Sequence, residues 1–98
     1  MGFKDVKRQL VDCLKSGNIV HEQRDNINLK NLLATGQISV DLVTDIVSQT
    51  RGNEHRESPH HFDSTIDIHV IKTSFQGKSW YIKWYFIEPN SVFISVHH

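Results

Sequence analysis

Two tyrosines, a lysine and two histidines carry the chemistry this chain offers, and their usefulness depends on how the segments holding them extend. In Trp80-Tyr81-Ile82-Lys83-Trp84-Tyr85-Phe86-Ile87-Glu88, every residue except Lys83 and Glu88 is aromatic or β-branched, the composition a strand packs best. Successive strand side chains point to opposite faces. Trp80, Ile82, Trp84 and Phe86 therefore share one face, while Tyr81, Lys83, Tyr85 and Ile87 share the other. The first set reads as core. The second brings two phenols and an ammonium to the opposite face.

Histidines flank this strand in sequence. Ile66, Ile68 and Val70 alternate with Asp67 and His69, and Val92, Ile94 and Val96 alternate with Phe93, Ser95 and His97. If Trp84 shares the core face with Val70 and Val96, both connecting loops need an odd number of residues, because a one-residue slip inverts a strand. A three-residue loop over Pro89-Asn90-Ser91 and an odd turn around Gly77 then set His69, Lys83 and His97 in one row, with neighbours about 5 Å apart. Asp67, Tyr85 and Ser95 form the next row. Two imidazoles about an ammonium, beside phenols, are suitable parts for metal-free RNA cleavage. A 2′-hydroxyl must lose a proton, the leaving 5′-oxygen must gain one, and the phosphorane's added charge needs fixed donors. Antiparallel sheets also keep one face wet with no function attached, so a solvated face is the competing reading.

The elements that must position these groups follow from periodicity. Phe3, Val6, Leu10, Cys13 and Leu14 predict a helix over 3–16, stopped by Gly17. Residues 19–24 read as an extended linker or short edge strand. A weaker helix is expected over 27–35, capped by Asp25 or Asn26 and stopped by Gly36. Ser39 caps a third helix over 40–50, with Val43, Ile46 and Val47 as its apolar stripe and Gly52 as its end. Residues 53–64 are polar and aperiodic and read as a loop holding His55, Arg56, His60, His61 and Asp63. Helices first and strands last predict an α+β domain, two or three N-terminal helices covering one face of a C-terminal antiparallel sheet.

At 98 residues there is room for one domain. Lys+Arg and Asp+Glu number 11 each, so no bulk basic charge points to nucleic acid and an RNA-binding function needs a local patch. The single Cys13 cannot form an internal disulfide and fits a reducing, cytoplasmic compartment. No apolar run reaches membrane-span length and none resembles a signal peptide. Met1 fits a free-standing chain. A metal centre on His60, His61 and Asp63, with His69 or His97, is the weaker alternative, because the ligands lack a recurring paired spacing.

Several short motifs in order add a family likeness. Arg24-Asp25-Asn26, Leu32 to Gly36 and Gln37-Ile38-Ser39 are followed by Ser58-Pro59 with Asp63, then Val70-Ile71-Lys72, Tyr81-Ile82-Lys83 and Ile94-Ser95-Val96-His97. Together they resemble the motility quorum-sensing regulator (MqsR-like) toxins. Departures fall at Ser58, where that family has Gly, at Val96, where it has Phe, and near Ile68 and His69, where no Gln stands. The resemblance implies a RelE-like ribonuclease fold, RNA cleavage by a bacterial toxin, and a cognate antitoxin as partner. It implies a site of Tyr81, Lys83, Lys72, Arg56 and His97.

The combined expectation is a metal-independent endoribonuclease without a cofactor. His97, Lys83, Tyr81 and His69 would do the chemistry, and Arg56, Lys72, Tyr85, His60 and His61 would hold RNA. The alternative is an inactive RNA- or protein-binding module on the same fold.

Overall fold

The computed structural model describes residues 2–23 and 25–98. Met1 and Arg24, the latter opening the Arg24-Asp25-Asn26 motif, lie outside the described residues. Helix α1 (Phe3–Ser16) follows the sequence period: Val6, Leu10, Cys13 and Leu14 are buried along one stripe. Gly17 ends it at φ 77°, a left-handed conformation in which a side chain would be strained. Helix α3 (Val40–Gln49) begins where expected, because Ser39 Oγ accepts the Leu42 N–H at 3.1 Å. Its buried residues Val43, Ile46 and Val47 join Val6, Leu10 and Leu14 of α1 in one core.

The middle helix is shorter than its sequence suggests. Helix α2 covers Ile27–Lys30, and Asn26 makes no side-chain cap. Asn31 then leaves the helix to bridge Val96 of the sheet. Its buried side chain accepts the Ala34 N–H at Oδ1 (3.0 Å), which turns Nδ2 toward His21 Nδ1 (3.0 Å). An amide NH₂ can only donate, so His21 Nδ1 accepts. The polar pair satisfies itself inside the fold, and that bridge competes successfully with another helical turn.

The expected 53–64 loop is largely ordered backbone. A 3₁₀ turn (Gly52–Glu54) leads into a strand, β2 (His55–Pro59). Gly52 thus opens this turn rather than ending α3. Strand β2 escaped the periodic reading because it is polar on both faces, as an edge strand can be, and Pro59 sits at its last position, where a missing N–H is tolerated. With β1 (Ile19–His21), β3 (Asp67–Phe75), β4 (Lys78–Ile87) and β5 (Asn90–His97), it forms a five-stranded sheet in the order β1-β5-β4-β3-β2. β1 runs parallel to β5, and the remaining pairs are antiparallel. The architecture is therefore α+β, with α1 and α3 on one sheet face. Among the described residues no helix is long and apolar enough to cross a membrane.

The meander β3-β4-β5 is present, but its register differs from the odd-loop expectation. Phe75 pairs with Lys78 across a two-residue turn, Gln76-Gly77, with φ 51° and 78°. Positive φ at both central residues is the geometry that matches strand twist. This even loop pairs His69 with Trp84 and Val70 with Lys83. The second connection also has two residues, since Ile87 pairs with Asn90. A bulge then shifts the register, from Trp84 with Phe93 to Lys83 with Ser95 and Tyr81 with His97. Ile94 is the extra residue. Phe93 and Val96 consequently both face the core, each fully buried.

Candidate functional site

The sheet carries two separate polar groupings, one on each face. Alternation along β4 sets Trp80, Ile82 and Trp84 inward, at 5%, 0% and 0% exposure, and leaves Tyr81, Lys83 and Tyr85 half-buried on the face away from α1 and α3. One row across this outer face reads Arg56, Val70, Lys83, Ser95; the next reads Lys72, Tyr81, His97. Three cationic side chains, a phenol and an imidazole therefore share one face. The row proposed from sequence, His69-Lys83-His97, does not form. Neither does Asp67-Tyr85-Ser95: Asp67 pairs with Pro59 and Tyr85 with Val92.

Within the outer face, the Tyr81 and His97 rings stack at 5.2 Å with 26° between planes. The Lys72 ammonium stands 5.9 Å from the Tyr81 ring centroid, within reach of cation–π attraction. A cleft of about 410 Å³ opens beside them, lined by Glu54, Lys72, Ser79, Trp80, Tyr81 and His97. Arg56 is steadied by donating Nη1 to the carbonyls of Asn53 (3.2 Å) and His55 (2.9 Å).

At the other end of β4, Tyr85 donates its hydroxyl to Glu22 Oε2 at 2.9 Å. Burial, with this bond and the Glu22 charge, raises the phenol's pKa. His60 meets the Tyr85 ring edge-on at 5.0 Å, so the connection after β2 folds over the outer face. Its Nδ1 accepts the Phe62 N–H at 3.1 Å. His61 is exposed and meets the Phe62 ring edge-on at 5.1 Å. Asp63 accepts from Thr65 N–H (3.0 Å) and Thr65 Oγ1 (2.6 Å), and those bonds hold its pKa down. His60, His61 and Asp63 do not group as metal ligands among the described residues.

His69 belongs to the inner face. It is 5% exposed and directly opposite Trp84, whose indole stacks on it at 5.2 Å. Its Nδ1 lies 3.0 Å from His55 Nε2 and 3.6 Å from a Glu57 carboxylate oxygen. Burial lowers the pKa of both histidines, and for His69 the neighbouring His55 lowers it further against the opposing pull of Glu57 and Asp67. This group includes His55 and Glu57, which lie in strand β2 within the segment expected to be a loop. The detectable signal was the two-residue spacing of His55 and Glu57, which sends both side chains to the same face of a strand.

No family model matches the chain, and no curated protein matches it.

Proposed function

We propose that the outer sheet face binds and cleaves RNA, making the protein a metal-independent endoribonuclease of the RelE-like, MqsR-like toxin type. The observation that carries this reading is the convergence of Arg56, Lys72, Tyr81, Lys83 and His97 on one face, with His97 stacked on Tyr81 at 5.2 Å. These five are the residues the family resemblance selects, and strand pairing brings them together without reference to it. The local cationic patch also meets the requirement left by a chain of zero formal charge.

In the reaction, His97 takes the proton of the 2′-hydroxyl as that oxygen attacks phosphorus. The new P–O2′ bond forms while the P–O5′ bond breaks, leaving a cyclic phosphate. Tyr81 donates a proton to the departing 5′-oxygen. Lys83 and Arg56 face the phosphoryl oxygens, where charge grows in the transition state. Lys72 and Tyr85 guide the flanking nucleotides, and His60 supplies an additional contact beside Tyr85. With His69 on the other face, His97 is the imidazole assigned to the chemistry.

A second reading rests on Glu22 and Glu54. Glu22 holds the Tyr85 hydroxyl and Glu54 lines the cleft beside His97, and both carboxylates repel a phosphate backbone. An inactive RNA- or protein-binding module on the same face fits that charge pattern. Incubating purified protein with RNA in chelator separates the two readings. Cleavage by the wild type, abolished in the Lys83→Ala/His97→Ala double variant, supports the nuclease; equal cleavage by that double variant removes it. A binding module neither cuts RNA nor arrests growth when induced in bacteria.

A further inference from the structure

We propose that His55, Glu57 and His69 form a binding site for a divalent transition-metal ion, best suited to zinc, on the inner face at the β2–β3 edge. Each residue offers one ligand atom, and these atoms all lie within 4.8 Å of one another. The pattern follows from strand geometry. His55 and Glu57 stand two residues apart on β2, and His69 is directly opposite Glu57 on β3. Three donors thus converge on one face of adjacent strands.

The distances suit an ion. In a tetrahedral zinc site with Zn–N bonds of about 2.0–2.1 Å, two nitrogen ligands lie about 3.3 Å apart. His55 Nε2 and His69 Nδ1 are 3.0 Å apart, and His69 Nδ1 is 3.6 Å from Glu57 Oε1. Bringing the two imidazole nitrogens to the spacing of zinc ligands requires them to part by about a few tenths of an ångström.

The ring planes are already held. His55 packs against Phe3 (4.6 Å between ring centroids) and His69 (5.2 Å), and His69 also against Trp84 (5.2 Å). Such packing orients the lone pairs before the ion arrives. Glu57 and His69 line a cleft of about 290 Å³ that also touches Val6, Gln9 and Thr65. This gives the ion an entry path and leaves room for water as a fourth ligand. Imidazole and carboxylate donors in this number match zinc sites with an open position. The bound ion would tie edge strand β2 to β3. It lies across the sheet from Tyr81, Lys83 and His97, so the proposal stands or falls separately from the nuclease reading.

The test uses the full chain with no affinity tag and zinc or cobalt(II) alone as probe. Calorimetry should give one zinc per chain, cobalt(II) should give the visible absorption of a four- or five-coordinate ion, and zinc should raise the thermal midpoint. Glu57→Gln, at a carboxylate with 41% side-chain exposure, should fold normally and weaken zinc binding at least tenfold, as should His55→Gln. The His60→Ala/His61→Ala double variant should bind as the wild type does. Failure to bind zinc, affinity unchanged in both Glu57→Gln and His55→Gln, or loss of binding in the His60/His61 variant would each overturn the assignment.

Discussion

The two faces of the sheet use histidine in opposite ways. On the inner face, His69 is buried among Trp84, His55 and Phe86, its ring confined on several sides. On the outer face, His97 is only partly buried and stacks against the Tyr81 ring beside an open cleft. An imidazole that must exchange protons with a substrate needs access to it. One that must hold a proton or an ion in place needs confinement. Packing therefore separates a confined imidazole from an accessible one, and sequence spacing alone does not distinguish the two.

The largest expected effects follow from exchanging these assignments. His97→Ala should lower RNA cleavage by about 10²–10⁴-fold, the usual contribution of a positioned acid or base, with little change in urea midpoint. His69→Ala should do the reverse. Removing a buried ring that bonds His55 and stacks on Trp84 should destabilise the fold by about 2–3 kcal/mol, while cleavage per folded molecule stays near wild type. Cleavage lost in His69→Ala at full folding would break the comparison, because it would give the inner histidine a part in the chemistry.

Acid should act on the inner face next. The pKa values of His21, His55 and His69 are all lowered in the fold, chiefly by burial. Below the unfolded-chain value of about 6.5, the unfolded state binds protons that the folded state refuses, so stability falls as pH falls. The loss reaches about 1.4 kcal/mol per pH unit for each such imidazole until its folded pKa is passed. Urea midpoints should therefore hold between pH 7 and 8 and decline from about pH 6.5 downward. His55→Gln should flatten part of that decline, and zinc should oppose it by holding the ligands unprotonated. A midpoint that rises on acidification contradicts the confinement of these rings.

Gly17, Ser39 and the helical stripes are local signals, read from a few neighbouring side chains, and the helices they bound are present. The core face of β4 was equally plain, because its aromatic residues alternate without interruption. What stayed hidden was non-local. Strand β2 has no apolar period, since its partner β3 supplies the order. The bulge at Ile94 switches parity inside one strand, so Val92 and Val96 look alike in sequence but stand on opposite faces. Tyr81 and His97 still share a face, because an even turn followed by a one-residue bulge restores the parity that an odd turn would have given, although His97 now stands opposite Tyr81 and not Lys83. His69 has no such compensation and moved to the other face.

That last difference traces to one turn and gives the smallest of the expected effects. Gln76 and Gly77 both have positive φ, 51° and 78°. Glycine adopts this conformation at no steric cost, whereas glutamine does not. Asn-Gly is the preferred pair for such a hairpin, so Gln76→Asn should relieve strain without altering any contact on either face. A gain of about 0.5 kcal/mol is expected, raising the thermal midpoint by roughly 2–4 °C in a domain of this size. Because β3 and β4 supply residues to both groupings, the gain should appear with zinc affinity and cleavage both unchanged. A lower midpoint would mean that the turn is not the two-residue form that pairs His69 with Trp84. The register would then reopen, and with it the placement of His69 and His97 on opposite faces of the sheet.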